Sequence, residues 1–360
     1  MSGDADRVAV IIPNYNKEKT LRACLESAFT QSHRPAEVVV VDDASTDRSR
    51  EIARDFPCKL VELPGNRGPS AARNTGVAAS TAPLLFFMDS DTALAPDAIA
   101  NAVRLLRDNP DCGMVQGIYE FEPLFHDGPV EVYKVAFEHY WRARTVVTGD
   151  AATLFSCSLL PRKVWEETGG MDEDLRNGED VEFGTRMPQH YRLLATDTVL
   201  TRHDDDHRLL PLLWEQFVRS ANAPMVMLKT HRRQRAGATG IRVEMMSLAR
   251  LSYLDRTAWI SFVLMALSLL TIPVGFVAPW ALLITVLLLQ GAFVAASHDF
   301  FRFVYRRKGL LFALFCAGLH IISHVVMTLG AGVGTLRALS AAVRARLLPQ
   351  TSKSPAAVPE

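Results

Sequence analysis

Two carboxylates, Asp89 and Asp91, stand one residue apart in the segment FFMDSDT. They follow the apolar run Leu84–Met88, which predicts a buried strand. Asp and Ser are ordinary turn residues, so the pair alone indicates little. Mg²⁺ and Mn²⁺ prefer oxygen ligands, however, and a cation would explain why two acids follow an apolar strand. The spacing therefore raises the hypothesis of a divalent metal site.

Strands and helices alternate around this acid pair. Short apolar runs, typical of parallel strands, occur at 8–12, 37–41, 59–62 and 84–88. Helices are predicted between them, at 21–29, 49–56 and 69–79. The alternation predicts an α/β fold with an open, mostly parallel sheet and helices on both faces. The pattern loosens after Asp111, and residues 117–144 are predicted to be helix and loop.

Acidic side chains fall where the predicted strands end. Asp42 and Asp43 end the second strand, as Asp89 and Asp91 end the fourth. Ligands of such sheets bind beyond the carboxyl ends of the strands, so one crevice is expected to hold all four acids. The sequence has no G-x-G-x-x-G after the first strand and no G-x-x-x-x-G-K-[ST]. A nucleotide could still bind through a metal.

Composition divides the chain into two environments. Lys plus Arg and Asp plus Glu number 39 each, so no net charge favours nucleic acid as a partner. Residues 259–277, 279–297 and 310–336 carry no Asp, Glu, Lys or Arg. The first two stretches are close to the ~20 residues that cross a bilayer, and the third is longer, is interrupted by His320 and His324, and is also expected to span. The five cysteines show no C-x-x-C spacing, which favours a reduced, cytosolic setting for the remainder.

Basic residues flank the uncharged stretches. A basic amphipathic segment precedes the first, and the loop between the second and third carries Arg302, Arg306, Arg307 and Lys308. The positive-inside rule places both flanks in the cytoplasm, and the side of the C-terminal tail stays open. We expect a multi-pass protein of the inner membrane with a cytoplasmic catalytic domain. The predicted regions are a globular domain (1–230), a juxtamembrane segment (231–257), about three transmembrane helices (258–336) and a disordered tail (337–360).

Several motifs in series resemble the family 2 glycosyltransferases, which have a Rossmann-like GT-A fold. The motifs are VAVIIPNYNKEKTL with VVVVDDASTD, then NRGPSAARNTG, then FFMDSDT, and the resemblance covers about residues 7–220. It implies that Pro13 and Tyr15 lie at the base and ribose of a nucleotide sugar, with UDP-sugar the expected donor. It also implies that Asp43 reads the base and that Arg73 stands near the nucleotide. Turn packing and helix capping are the alternatives for Tyr15 and Asp43.

The same resemblance assigns roles to the acid pair. Asp91 would ligate Mg²⁺ or Mn²⁺, and Asp89 would face the ribose or a metal-bound water. His203 in TRHDDDH would be a third ligand, with His207 as the alternative and packing as a second role for either. The metal would neutralise charge that grows on the departing nucleoside diphosphate.

A base for the acceptor hydroxyl is implied by GGMDEDLRNGEDVEF, residues 169–183, which resembles another segment of the family. Its last acid is Asp180 here, with Glu179 beside it on the acceptor side. Both residues begin a predicted helix, so stabilisation of the helix N-terminus is the alternative role. A base opposite the leaving group implies a single displacement with inversion.

Two departures from the family pattern concern the acceptor. SCSLLPRKVW replaces a G-N-x-x-x-R pattern and brings Cys157 and Ser158 to the acceptor pocket. Gln216 and Arg219 match part of the Q-x-x-R-W of processive polymerases, but Ser220 replaces the tryptophan. We therefore expect transfer to a lipid-linked or membrane-proximal acceptor in cell-surface glycan synthesis. The alternatives are a non-catalytic scaffold of the same fold and a transporter with a cytosolic regulatory domain.

Overall fold

The computed structural model describes residues 4–148, 155–175, 178–205, 207–235, 263–268, 270–271, 273 and 278–347. Within them one sheet contains eight strands. The strands are β1 (Val8–Asn14), β2 (Glu37–Asp42), β3 (Lys59–Glu62), β4 (Leu84–Met88), β5 (Thr92–Leu94), β6 (Cys112–Tyr119), β7 (Cys157–Pro161) and β8 (Arg192–His203). The helices around the sheet are α1 (Leu21–Phe29), α2 (Ser49–Arg54), α3 (Pro69–Ala78), α4 (Ala98–Asp108), α5 (Pro129–Thr148), α6 (Arg162–Thr168) and α7 (Glu179–Arg186).

The sheet has the order β3-β2-β1-β4-β7-β6-β8-β5. The strands from β3 to β4 are parallel, as are β6 and β8, while β7 is antiparallel to both of its neighbours and β5 is antiparallel to β8. The predicted α/β fold is confirmed, with the parallel part at β3-β2-β1-β4. There the apolar runs mark every strand, and β3 and β4 have their predicted bounds.

Both faces of the parallel part are buried, which explains its continuous apolar runs. Val10 and Ile12 of β1 pack in one core with α1 and α4, whereas Ile11 packs in a second core with α3, α6 and α7. Successive side chains of a strand point to opposite faces, so β1 needs an apolar residue at each position. The carboxyl ends of β1, β2 and β4 consequently meet at one edge.

Strand β6 was not predicted. The prediction of helix and loop for residues 117–144 is wrong at 117–119, which are the last residues of β6. Two glycines obscure the apolar run of this strand. A Cβ at Gly117 would lie 2.2 Å from the carbonyl oxygen of Val199 in β8, so this position requires glycine. The predicted helix in the same segment is present as α5.

The described residues beyond the sheet include the helices α8 (Leu209–Arg235), α9 (Pro279–Ala296), α10 (His298–Lys308) and α11 (Leu310–Leu347). Among the described residues, α9 and α11 are the two helices long and apolar enough to cross a membrane, judged by length and composition. The first predicted span, 259–277, and the juxtamembrane segment fall largely outside the described residues. The predicted loop at 298–309 is wrong, because α10 occupies it.

Helices α8 and α11 touch through small residues. A Cβ at Gly330 would lie 2.5 Å from the carbonyl oxygen of Phe217, and a Cβ at Gly334 would lie 2.3 Å from that of Ala221. Glycines four residues apart allow two helix backbones to approach this closely. The apolar helix α11 is thereby fixed against α8.

We expect Gly334→Leu to destabilise the protein by about 1–3 kcal/mol, because the added side chain has no space against α8. Gly332→Leu is the matched control, since nothing lies within 4 Å of its Cβ position. Thermal unfolding of the detergent-solubilised chain measures both variants. Equal melting temperatures for the two would contradict the close packing of these helices.

Candidate active site

The edge of the sheet brings Asp91 and His203 together although they are distant in sequence. Asp91 directly precedes β5, and β5 pairs with β8 so that Thr92 faces His203. The backbone N–H of Asp204 donates to the carbonyl oxygen of Asp91 at 2.9 Å. This backbone pairing therefore places the histidine ring beside the carboxylate.

Asp91 presents one carboxylate oxygen to histidine and the other to lysine. Its Oδ1 lies 3.6 Å from Nε2 of His203, and its Oδ2 lies 2.7 Å from Nζ of Lys17. Burial would raise the pKa of Asp91, but His203 and Lys17 outweigh this effect and hold the pKa below its usual value. Asp91 is therefore an anion in this environment.

The Oδ1 atom of Asp91 is suited to a cation. It is buried and has no hydrogen-bond partner among the described residues. A buried acceptor left unpaired is costly, and a metal would satisfy it. Since a carboxylate and an imidazole are both ligands of Mn²⁺-type ions, Asp91 and His203 fit the predicted metal.

The ring of His203 is held from its other side. It stacks on Tyr119 with ring centroids 4.6 Å apart, and the guanidinium of Arg142 lies 3.8 Å from the centre of the Tyr119 ring. Its Nδ1 lies 3.5 Å from Oδ2 of Asp205. This nitrogen makes no hydrogen bond among the described residues, so the stack on Tyr119 and the charge of Asp205 hold the ring with Nε2 toward Asp91. His207, the alternative ligand, is exposed.

Arg73 joins the acid pair to the predicted base. It is 6% exposed, and its two terminal nitrogens donate to Oδ1 of Asp89 at 2.8 Å and to Oε1 of Glu179 at 2.9 Å. Burial lowers the pKa of Arg73, but Asp89, Glu179 and the neighbouring Asp180 raise it further than burial lowers it. The helix start that carries Asp180 therefore lies at the same edge as Asp89.

We expect Arg73→Met to cost about 3–5 kcal/mol of stability, because it leaves two carboxylates facing each other without their shared cation. Arg67→Met is the control: its ion pair with Glu173 is half exposed, and its loss should cost no more than about 1 kcal/mol. Urea denaturation compares the two variants. A smaller loss for Arg73→Met than for Arg67→Met would contradict the bridging role.

The residues predicted to contact the nucleotide lie at the ends of β1 and β2. Pro13 pairs with Val41 in the sheet, and Tyr15 is 46% exposed just beyond it. Asp43 is buried and accepts from the backbone N–H groups of Arg67 at 2.7 Å and Gly68 at 2.8 Å. These N–H groups belong to the turn before α3, so the contact is the turn packing named as the alternative, although a carboxylate has further lone pairs for a base.

The expectation that four acids share one crevice is wrong for Asp42. This residue is 1% exposed and accepts from Nε of Arg50 at 2.7 Å, from the backbone of Ser45 at 2.9 Å and from the amide of Asn14 at 3.1 Å. Its lone pairs are used inside the fold. Asp42 therefore stabilises the β2 end.

Comparison with known proteins agrees with this arrangement. The model of the family described as glycosyl transferase family 2 matches residues 9–167. These residues belong to glycosyl transferase family 2. We refer to them, with the strands that complete their sheet, as the family 2 domain.

The relatives described here are bacterial proteins. An uncharacterized glycosyltransferase of Haemophilus influenzae is 25% identical over 189 residues, which are 51% of this chain and 62% of that protein. The succinoglycan biosynthesis protein ExoO of Rhizobium meliloti is 34% identical over 99 residues, which are 27% of this chain and 29% of that protein. The chain thus spans less than two thirds of these relatives.

A solved structure shows the same fold. The mannosyltransferase PcManGT from Pyrobaculum calidifontis, determined in complex with GDP-Man and Mn²⁺, superimposes with a TM-score of 0.56 and 21% identity. The likeness covers 92% of this chain and 87% of that protein. It confirms the predicted GT-A type of fold.

The residues predicted for the acceptor belong to two elements, β7 and α8. Cys157 of β7 pairs with Met88, directly before the acid pair, and both Cys157 and Ser158 are buried. Gln216 and Arg219 lie on α8, and the side-chain oxygen of Gln216 is buried without a hydrogen-bond partner among the described residues. Arg219 pairs with Glu215 on the same helix.

A second acidic group lies near the first. Oxygen atoms of Asp127, Glu131 and Asp204 lie within 4.8 Å of one another. Lys19 contacts both aspartates, Asp204 at 2.6 Å. Burial raises the pKa of Glu131 to about 7. This group is a rival position for a metal, although Lys19 already offsets part of its negative charge.

Sequence reasoning missed Lys17 and the stack behind His203. Lys17 follows the strand end in the NYNK motif, and nothing in its local sequence indicates a partner 74 residues later. Tyr119 and Arg142 belong to residues 117–144, which were predicted only as helix and loop. Only a prediction of the tertiary pairing of β5 with β8 could have indicated these contacts.

Proposed function

We propose that this chain transfers a sugar, with inversion, from a nucleotide diphosphate sugar to an acceptor at a membrane surface. The observation that carries the proposal is the unpaired Oδ1 of Asp91 facing Nε2 of His203 at 3.6 Å, at the strand ends of a family 2 domain. The GT-A fold of PcManGT, which was determined with GDP-Man and Mn²⁺, supports a metal-bound nucleotide sugar as donor.

In this proposal Asp91 and His203 hold Mg²⁺ or Mn²⁺, which supplies a Lewis acid for the leaving diphosphate. Lys17, on the second oxygen of Asp91, adds a positive charge on the diphosphate side. Asp89 is oriented by Arg73 toward the ribose or a metal-bound water. Pro13, Tyr15 and Asp43 form the nucleoside side of the site, with UDP as the proposed nucleotide.

Asp180 is the proposed general base. It stands in the first turn of α7, next to Glu179, whose carboxylate is held by Arg73. In this proposal Asp180 takes the proton of an acceptor hydroxyl, which must approach within about 2.6–3.2 Å, while Glu179 stays paired with Arg73. Attack from that side displaces the nucleotide in one step.

The acceptor in this proposal is lipid-linked, with Gln216 and Arg219 on its side of the site. Two candidate membrane helices, α9 and α11, support a membrane location, and the basic residues of α10 favour a cytoplasmic catalytic domain of residues 1–230. The similarity to a succinoglycan biosynthesis protein supports a role in cell-surface glycan synthesis.

A thermal-shift panel of nucleotide sugars tests the proposal. We expect one donor to raise the melting temperature in Mn²⁺ and not in EDTA, because a ligand at 100 times its Kd stabilises by about 2.7 kcal/mol. Release of the nucleoside diphosphate from that donor should then require the metal. Stabilisation without release would favour a non-catalytic scaffold, and no metal-dependent shift with any donor would refute the proposal.

A further inference from the structure

Helix α10 is the connection between the two candidate membrane helices. Only Ser297 separates it from α9, and only Gly309, with φ +83°, separates it from α11. Its 11 residues extend about 16 Å. If α9 and α11 both cross a bilayer, α10 lies at one surface of that bilayer.

One face of α10 attaches it to the family 2 domain. Phe300 and Val304 are buried, and the Phe300 ring lies 5.3 Å from that of Phe137 on α5. Lys308 also pairs with Glu122 at 2.8 Å. Because α10 touches the domain and joins both membrane helices, it lies between the domain and the lipid.

The other face of α10 carries arginines without partners. Arg302 and Arg306 are exposed, and neither has an ion pair or hydrogen bond with another residue in the part of the chain that the structure describes. Arg307 differs from them, since its guanidinium lies 4.7 Å from the ring centre of Phe121 and 4.6 Å from that of Phe303. Arg302 and Arg306 are therefore the cations still available to a ligand.

These two arginines line a cavity of about 440 Å³ together with Asp299, Phe303 and Arg307. The lining contains three arginines and one acid, and that acid lies 4.0 Å from Arg144. Residues four apart on a helix lie on the same face, so Arg302 and Arg306 can contact one anion together. The guanidinium fork matches the oxygens of a phosphate group.

We propose that this cavity binds the phosphate of an anionic phospholipid, with Arg302 and Arg306 as its ligands. The proposal rests on the membrane location proposed above. Lipid is the favoured source of the phosphate because α10 is continuous with α9, whose apolar side chains, such as Leu287 and Leu288, are exposed. Tyr305, 54% exposed on α10, is a residue type enriched where protein meets the membrane surface. A bound headgroup would fix the family 2 domain against the bilayer.

The test titrates the full detergent-solubilised chain with dioctanoyl phosphatidylglycerol and follows the melting temperature. We expect the double variant Arg302→Gln/Arg306→Gln to need about 25-fold more of this lipid for the same shift, since each arginine near an anionic surface contributes roughly fivefold. The matched control is Arg104→Gln/Arg107→Gln on α4, which removes the same charge and should leave the titration unchanged.

Further measurements identify the ligand and distinguish a wrong lipid site from a wrong membrane location. Dioctanoyl phosphatidylcholine and inorganic phosphate should both give smaller shifts than phosphatidylglycerol. Equal titrations for the double variant and the wild type would overturn the proposal, as would saturation by inorganic phosphate at the same concentration. Recovery of the chain in the soluble fraction would instead contradict the membrane location. The metal-dependent donor shift, which tests the transferase, should be retained in the double variant.

Discussion

Asp180→Asn should lower the rate of sugar transfer by about 10²–10⁴-fold and leave donor binding unchanged. The amide cannot accept the proton of the acceptor hydroxyl, whereas the metal and nucleotide groups at Asp91 and Asp43 stay in place. The measurement is kcat for transfer to a membrane lipid extract, together with the donor-dependent melting temperature.

A matched control distinguishes the role of Asp180 as a base from stabilisation of the N-terminus of α7. Asp174→Asn removes an exposed acid from the segment before α7 and should keep full activity. If Asp180 only stabilises the N-terminus of α7, its amide variant should lose about 0.3–1 kcal/mol of stability and transfer normally. That result would contradict the assignment of the base.

Asp91→Asn should weaken Mn²⁺ binding by more than about 100-fold, and with it the binding of the donor. Substitution of residues that only support a metal ligand typically lowers metal affinity 10–100-fold, so removal of a ligand itself should lower it further. The variant also releases Lys17 from its 2.7 Å ion pair. Isothermal titration with Mn²⁺, first alone and then with the donor, measures both effects.

The second acidic group provides the control for this change. Asp127→Asn removes one acid from the group with Glu131 and Asp204. It should leave Mn²⁺ affinity within about threefold of wild type, because Asp91 and His203 are unchanged and Asp127 is already paired with Lys19. If Asp127→Asn abolished binding and Asp91→Asn retained it, the metal would belong to the second group.

The parallel half of the sheet could be predicted because burial on both faces demands apolar residues at every position. The strands from β5 onward gave weaker signals. β6 is interrupted by glycines that β8 requires, and β8 is partly exposed along its length. Helix α10 was predicted as a loop from its charges, but Phe300 and Val304, four residues apart, give it a buried face.

The candidate site was predictable residue by residue but not in its connections. The resemblance named Asp91, His203, Arg73 and Glu179, yet the two ion pairs of Arg73 depend on how α3 meets α7. Asp42 was grouped with the site because it stands at a strand end, although its neighbours Arg50 and Ser45 satisfy it internally. Local sequence contains no information on such partners.

The most direct test of the proposed active site is the position of the metal. Crystals grown with Mn²⁺ and a nucleoside diphosphate should give an anomalous scattering peak within bonding distance of Oδ1 of Asp91 and Nε2 of His203, with the diphosphate on its far side. A peak among Asp127, Glu131 and Asp204 in its place, or a diphosphate bound with no metal at Asp91, would contradict it.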